Sequence, residues 1–323
     1  MAAELGRDAV VAAREAIAGR LHRTPVFSSA TLGERTGAPV HLKAELFQRT
    51  GSFKPRGVLT KLASLSEEEK RRGVIGISAG NHAQALAYCA ALEGVSALVV
   101  MWTGASAQKV EATRAYGADV DLDADGPGGA FDRLAELLEE TGRALVHPFD
   151  DPLVIAGQGT VGLEILEDVP DVAVIVVPVG GGGLVSGIAA AAGGRRVIAV
   201  EPEGSDALHR GLAAGRPVPI EPRSLADGLS APFAGEHPIR ICRALAVESV
   251  LVSEEELAEG MRFLYGRAKL ACEPAGAAAV AALLAGKVAL NERETTVAVV
   301  SGGNVVPEIA SGILSRDEGW HPS

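Results

Sequence analysis

Short apolar segments recur along this chain, and longer segments rich in alanine, leucine and glutamate separate them. The apolar segments lie at 74–78, 97–101, 118–122, 172–177, 196–200 and 296–301. Because they are apolar on both faces and alternate with helical patterns, they are typical of strands in a parallel sheet that helices cover on both sides. We therefore predict a doubly wound α/β fold, with ligands bound at the carboxyl ends of the strands.

Composition and charge exclude several classes of protein. The 323 residues are 47% hydrophobic, which is ample for a folded core, and the net charge of −11 comes without a long basic run, so we expect no nucleic-acid partner. No segment is apolar for long enough to span a bilayer, and the N-terminal 20 residues lack the apolar core of a signal peptide. Cys89, Cys242 and Cys272 are too few and too far apart for a disulfide framework or a zinc site, and we expect a cytoplasmic protein.

Four adjacent glycines follow one of the predicted strands. They are Gly180, Gly181, Gly182 and Gly183, and a helix of small residues is predicted after them. Glycine lets the backbone approach a ligand closely, and the free N–H groups at a helix start favour an anion. The loop therefore predicts a phosphate site, with a plain turn as the alternative.

A dinucleotide site is a rival interpretation of the same loop. Glu201 lies 20 residues beyond Gly181, about where a dinucleotide fold has its ribose-binding acid. The pattern G-x-G-x-x-G does not fit, however, because it would require glycine at Ser186 or at Leu184. The spacing favours a phosphate monoester over a pyrophosphate.

Lys54 stands at the start of a predicted helix in the segment 50–58. Pro55 suits the first helical position, because its missing N–H is not needed there. A lysine is most often a surface charge, but a buried amine loses its proton more easily and can attack a carbonyl carbon. Lys54 is therefore a candidate nucleophile.

Two further predicted strands end in polar residues. Ser78, Gly80, Asn81 and His82 crowd the start of a helix, where backbone donors can hold a carboxylate; simple capping by Ser78 or Asn81 is the alternative. Ser301 either terminates its strand or places a hydroxyl against a heteroaromatic nitrogen.

Taken together and in order, these motifs resemble the fold type II pyridoxal-phosphate (PLP) enzymes, which are similar to the β subunit of tryptophan synthase. The resemblance is to their threonine/serine dehydratase and serine racemase branch, and it covers nearly the whole chain. The segments that carry it are GSFKPRG, SAGNHAQ, VGGGGL and SGGN, with LHRTPVFSS, KVEATRAYGADV, HPFDDPLVIAGQGTVGLEI and CEPAGAAAVAAL in support.

The resemblance implies PLP as the cofactor and a role for each motif. It implies that Lys54 forms a Schiff base with PLP, that Phe53 flanks the ring and that Asn81 bonds the ring hydroxyl. It implies that Ser301 faces the pyridine nitrogen with Glu273 nearby. The phosphate would be held by Gly180, Gly181, Gly182, Gly183 and Leu184. The substrate carboxylate would be bound by Ser78, Ala79, Gly80, Asn81 and His82.

The reaction implied is β-elimination, in which a β-hydroxy amino acid such as L-threonine or L-serine gives a 2-oxo acid and ammonia. Lys54 would act as the general base. Alternatives within the chemistry are serine racemisation, β-replacement, and dehydration of phenylserine or hydroxyaspartate. A PLP-binding protein without activity and an NAD-dependent oxidoreductase are the alternatives outside it.

Three positions depart from the family pattern. Ala79 stands where racemases have a serine that protonates the substrate face opposite the lysine, so we expect elimination to dominate. Ala207 stands where some relatives have an acid that binds a cation, and the adjacent Asp206 would point elsewhere, so we expect no metal. Trp102 follows Met101 where the family commonly has proline, which leaves the substrate preference open.

No linker is visible, so any division into domains must come from strand pairing. We predict that residues 1–70 and 150–323 form a large PLP-binding domain and that residues 71–149 form a small domain. The resemblance suggests a homodimer that acts on a small-molecule amino acid.

Overall fold

The computed structural model describes residues 5–126 and 128–315. Within them, the strands are β1 (Val26–Ser28), β2 (Val40–Ala44), β3 (Val74–Ile77), β4 (Ala97–Trp102), β5 (Asp119–Ala124), β6 (Ala144–Leu145), β7 (Val174–Pro178), β8 (Arg196–Pro202), β9 (Glu248–Val252) and β10 (Thr296–Val300). The helices are α1 (Arg7–Ala16), α2 (Ala30–Thr36), α3 (Pro55–Ala63), α4 (Glu67–Arg72), α5 (Asn81–Glu93), α6 (Ala107–Ala115), α7 (Gly129–Thr141), α8 (Pro152–Asp168), α9 (Gly183–Ala191), α10 (Ala207–Ala214), α11 (Glu236–Ala244), α12 (Glu254–Phe263), α13 (Pro274–Leu284) and α14 (Pro307–Leu314).

The strands form two sheets. A six-stranded sheet has the order β1-β2-β10-β7-β8-β9 and a four-stranded sheet has the order β5-β4-β3-β6. Every pairing between named strands is parallel except that β1 runs antiparallel to β2. All four strands of the smaller sheet come from residues 74–145, inside the predicted small domain. The α/β fold class is confirmed, whereas the domain boundaries at residues 70 and 150 stay a prediction.

All six strands predicted from the sequence are confirmed, with ends that differ by at most two residues. Four strands were missed. β1 and β6 have only three and two residues, and β9 is an edge strand in which only Val252 is fully buried. β2 has the sequence VHLKA, in which the buried Lys43 interrupts the apolar pattern.

Helices cover both faces of the larger sheet. Along β7, Val174 and Val176 pack into a core cluster that includes α12 and α13, whereas Ile175 and Val177 pack into a second cluster that includes α8 and α9. The alternation follows from the period of two in a strand. Both faces are apolar because both are buried, as expected for a doubly wound parallel sheet.

A buried charge cluster joins β2, α3 and α8. It consists of Lys43, Glu45, Arg56 and Glu164. Arg56 donates hydrogen bonds to both carboxylates, at 2.7–3.0 Å, and Lys43 donates to Glu164 Oε2 at 2.6 Å. Two positive charges thus face two negative charges, which is the arrangement in which buried charges are tolerated. The cluster holds the first turn of α3 against α8.

All three cysteines are free and buried. Burial raises the pKa of each thiol well above its usual range. Of the described helices, none combines the length and the apolar composition that crossing a membrane requires.

Candidate active site

One cavity of about 910 Å³ opens where strands of both sheets end. Ser78 follows β3, Trp102 ends β4, Gly180 follows β7 and Ser301 follows β10, and all four residues line the cavity. Parallel sheets place ligands at this edge. Every site residue predicted from the sequence lines this cavity: Phe53, Lys54, Ser78, Ala79, Gly80, Asn81, His82, Gly180, Gly181, Gly182, Gly183, Leu184, Glu273 and Ser301.

Lys54 reaches the cavity from the start of α3. Pro55 is the first residue of that helix, as predicted, and Lys54 occupies the position before it. Its Nζ donates a hydrogen bond to the Pro148 carbonyl oxygen at 2.9 Å and lies 5.2 Å from the centre of the Phe53 ring. Burial lowers the pKa of Lys54 from 10.5 to about 8, against the opposing effect of Glu273. A far larger fraction of this amine is therefore neutral at pH 7 than for an exposed lysine.

Glu273 faces the same part of the cavity from the position before α13. Its Oε1 accepts a hydrogen bond from Asn81 Nδ2 at 2.6 Å. Burial, followed by the nearby Asp227, raises the pKa of Glu273 to about 7. Asn304 Nδ2 in turn donates to Asn81 Oδ1 at 2.8 Å and to the Thr50 carbonyl oxygen. Asn304 ends the SGGN motif, and sequence reasoning missed its contact with Asn81 because 223 residues separate the two.

The glycine loop is a cradle in which side chains do not fit. A Cβ atom on Gly181 would lie 2.2 Å from the Phe149 ring, and one on Gly182 would lie 2.6 Å from Pro238. Gly182 also has a φ of 92°, which side chains disfavour. Helix α9 begins at Gly183, so the N–H groups of its first turn point towards the loop. This combination of close backbone and helix start suits a phosphate group.

Helix α5 begins after a turn and has no side-chain cap. Ser78 Oγ accepts from Gly80 N at 3.0 Å, and Gly80 precedes the helix without a side-chain cap. The capping interpretation is therefore wrong for both Ser78 and Asn81. His82 is buried, with Nε2 2.9 Å from the Val146 carbonyl oxygen. Burial, helped by the charge of Lys54, lowers the pKa of His82 to about 3, so this histidine is neutral at pH 7.

Glu201 lies away from the cavity and has another role. Its two oxygens accept hydrogen bonds from the backbone N–H groups of Leu208 and His209, at 2.7 and 2.8 Å, in the first turn of α10. Burial raises the pKa of Glu201 to about 8. A carboxyl group that is bonded to these two N–H groups does not face a ribose in the cavity, so the geometry argues against the dinucleotide interpretation. Over residues 5–126 and 128–315, no cluster of three or more potential metal ligands occurs.

The fold and the site together define an enzyme that holds a phosphate-bearing cofactor beside a nucleophilic lysine. The family described as pyridoxal-phosphate dependent enzyme matches this chain over residues 17–302, and the chain belongs to that family. Its members carry PLP, and the amine of Lys54, the glycine cradle and the polar groups between them fit that cofactor. PLP dependence is thus confirmed.

Relatives of this chain include threonine dehydratases and a serine racemase. The catabolic L-threonine dehydratase TdcB of Escherichia coli (strain K12) is 42% identical over 304 residues, which are 92% of this chain and 92% of that protein. The structure of maize serine racemase matches with a TM-score of 0.90 at 36% identity, covering 94% of both chains. The crystal structure of the T.th. threonine deaminase matches with a TM-score of 0.87 at 41% identity, covering 93% of this chain and 99% of that chain.

Proposed function

We propose that this chain catalyses β-elimination from a β-hydroxy amino acid such as L-threonine or L-serine, giving a 2-oxo acid and ammonia. The observation that carries the proposal is the amine of Lys54, buried at the strand ends between the glycine cradle and the turn at residues 78–82. The L-threonine dehydratase and threonine deaminase among its relatives support the same chemistry.

In this proposal the lining residues divide into three groups. Lys54 binds the cofactor covalently, and the loop from Gly180 to Leu184 holds its phosphate. Ser301, Asn81, Phe53 and Glu273 surround the cofactor ring. The turn at 78–82 binds the substrate carboxylate with the N–H groups at the start of α5, which attract an anion. When bound, PLP supplies an electron sink for the charge that develops on the substrate Cα.

The protein's own contribution begins with proton transfer. Lys54, once its amine is free, takes the proton from the substrate Cα. The Cβ–O bond then breaks, and the hydroxyl takes up a proton and leaves as water, so the proton removed from Cα balances the one that the hydroxyl gains. Uptake of one water releases ammonia and the 2-oxo acid, so no water is consumed overall. A lysine with a pKa of about 8 suits this task, because it can accept and return a proton near neutral pH.

Elimination is proposed to dominate over racemisation. Racemisation needs a second group that returns a proton to the opposite face of Cα, and Ala79, which has no proton donor, lines the cavity in the turn where such a group would stand. His82 is also unsuited, because its low pKa leaves it neutral and its Nε2 is engaged by Val146. The similarity to maize serine racemase is therefore interpreted as a similarity of fold and cofactor.

The decisive experiment compares two single variants. One replaces Lys54, and the other replaces a lysine that is remote from the cavity. Lys54→Ala should abolish 2-oxo acid release from L-threonine and L-serine, and should remove the visible absorbance that PLP shows when joined to a lysine. Lys70→Ala is the control, since Lys70 lies on α4 outside the cavity. The proposal fails if Lys54→Ala retains full activity, or if the native protein with bound PLP releases no 2-oxo acid from any β-hydroxy amino acid.

Two finer points also belong to the proposal. We expect a homodimer in the cytoplasm. The exposed rings of Phe27 and Phe47 contact each other edge to face and provide an apolar patch for a second copy. The three free cysteines accord with a reducing compartment. Light scattering after size exclusion tests the dimer, with Phe47→Glu as the variant that should yield monomers, and cell fractionation tests the location.

A further inference from the structure

Aromatic rings are concentrated around this cavity. The chain has seven phenylalanines, and four of them line the cavity: Phe53, Phe131, Phe149 and Phe233. Trp102 joins them from the end of β4. Phe53 is accounted for by the proposed cofactor position, whereas the other four rings have no role in the chemistry described above.

Three of these rings form a continuous cluster across the cavity. Phe131 lies on α7, Phe149 precedes α8 and Phe233 lies in the loop before α11. The centre of the Phe233 ring is 5.5 Å from that of Phe131 and 5.6 Å from that of Phe149, with interplanar angles of 49° and 70°. These are favourable geometries for aromatic pairs, and a further ring can extend them. We call these residues the aromatic cluster.

The aromatic cluster begins beside the reacting amine. Lys54 Nζ bonds the carbonyl oxygen of Pro148, and the next residue is Phe149, whose ring covers Gly181 of the glycine cradle. Lys54 and the three rings line the same cavity, so the inference below places the substrate side chain against these rings.

The charged residues of the lining do not select a charged side chain. Lys109 forms an ion pair with Asp227, and Arg223 lies 3.6 Å from Glu221. Within the described part of the lining, the other charged residues are Lys54 and Glu273, which face the proposed cofactor. A second carboxylate on the substrate, as in hydroxyaspartate, would have to compete with Asp227 for Lys109, and Arg223 is exposed to solvent, where an ion pair gains little.

We infer that the preferred substrates are β-hydroxy amino acids with an aromatic or large apolar group on Cβ, of which phenylserine is the simplest aromatic example. The inference rests on the proposed β-elimination and specifies its substrate class. A cavity of about 910 Å³ has room for such a group beside the cofactor, since ligand pockets of about 300–1,000 Å³ hold drug-sized molecules.

The test is a panel of substrates given to the purified holoenzyme. The panel contains L-serine, L-threonine, 3-hydroxyaspartate, 3-hydroxyleucine and phenylserine, and kcat/KM for 2-oxo acid release is measured for each. One methylene in an apolar pocket changes selectivity by about 10- to 200-fold, so phenylserine should exceed threonine by at least about 10-fold. A kcat/KM for threonine or hydroxyaspartate that equals or exceeds that for phenylserine overturns the inference and leaves the proposed elimination intact. Release of 2-oxo acid from none of the five defeats the proposed function itself.

Substitutions in the aromatic cluster separate its role from the general activity. Phe233→Ala and Phe131→Ala should each lower the ratio of kcat/KM for phenylserine over threonine by about 10-fold or more, with the absorbance of bound PLP unchanged. Phe233→Leu, which keeps an apolar side chain, should retain part of the preference. Leu245→Ala is the matched control, because Leu245 is exposed and lies outside the cavity. An unchanged ratio in both alanine variants contradicts the inference.

Discussion

The hydrogen bond of 2.6 Å from Asn81 Nδ2 to Glu273 Oε1 joins two residues that lie 192 positions apart. Asn81 begins the helix that follows β3 of the four-stranded sheet, and Glu273 precedes α13, which packs on the six-stranded sheet. The contact therefore connects elements that belong to the two sheets at the cavity. It also holds a carboxylate close enough to Lys54 to affect the charge on its amine.

The pH dependence of cofactor capture should report the pKa of Lys54. The neutral amine is the nucleophile, and burial lowers its pKa to about 8, so the rate at which apoenzyme captures PLP should rise with pH and level off above about pH 8. An ordinary lysine would show a rise up to about pH 10.5. Stopped-flow absorbance measures the rate. The same measurement with Nα-acetyl-lysine, whose ε-amine is free, corrects for titration of the cofactor. A midpoint above about pH 10, the range of an exposed lysine, contradicts the buried position of Lys54.

Glu273→Gln should move that midpoint to lower pH. The negative charge of Glu273 stabilises the ammonium form and raises the pKa of Lys54, so a neutral side chain of the same shape removes this effect. Glu221→Gln is the control, because Glu221 is exposed at the mouth of the cavity and pairs with Arg223. The electrostatic argument is refuted if both variants share the midpoint of the native protein.

Gly181→Ala should weaken PLP binding. The added Cβ would lie 2.2 Å from the Phe149 ring, so the loop or the ring must shift. Overpacking of this kind costs about 1–3 kcal/mol, which corresponds to roughly a 5- to 150-fold rise in the Kd for PLP if it falls on binding. Fluorescence titration of the apoenzyme measures the Kd. Gly312→Ala has open space around its Cβ and should leave the Kd unchanged.

Ala79→Ser should increase racemisation. In the native protein, conversion of L-serine to D-serine should be slower than conversion to pyruvate, because the methyl group of Ala79 has no proton to donate. A serine hydroxyl at this position would face the cavity and supply the donor. Chiral chromatography of D-serine beside a pyruvate assay measures both rates, and Ala213→Ser, on the exposed side of α10, is the control. Native protein that forms D-serine faster than pyruvate would overturn the assignment.

Arg56→Ala should destabilise the fold strongly. Removing one member of the buried charge cluster leaves the carboxylates of Glu45 and Glu164 without their partner, which costs about 3–5 kcal/mol. Arg196→Ala breaks a two-pronged contact with Glu248 at the surface and should cost about 1 kcal/mol or less. Urea unfolding midpoints of the two holoenzymes compare them directly. Equal shifts would mean that the buried position of Arg56 adds nothing.

Sequence patterns predicted the parts of the fold that continuous apolar segments encode. Among the predicted strands, β3, β7 and β10 are buried along their whole length, so every position in them is apolar or small. β2 was missed since Lys43 lies within it. That lysine is buried with its amine bonded to the Thr24 carbonyl oxygen and to Glu164, which is 121 residues away. An ion pair between distant residues leaves no periodic signal in the sequence.

Sequence patterns predicted the motifs of the site but not the aromatic residues that surround them. Lys54, the glycine loop and Ser301 follow predicted strands or begin predicted helices, so local patterns were enough to select them. Phe131 and Phe233 lie on an ordinary helix and an ordinary loop. They become part of the site only when the fold brings them to Phe149, which no local pattern indicates.

Because the three cysteines are buried, their reaction with thiol reagents can report which part of the protein unfolds first. A thiol with a raised pKa has almost no thiolate at neutral pH, so disulfide-exchange reagents should not modify the native enzyme. Cys89 lies on α5 beside the four-stranded sheet, whereas Cys242 and Cys272 pack against the six-stranded sheet. The order in which the three sites are labelled during slow denaturation therefore distinguishes independent opening of one sheet from cooperative unfolding of both.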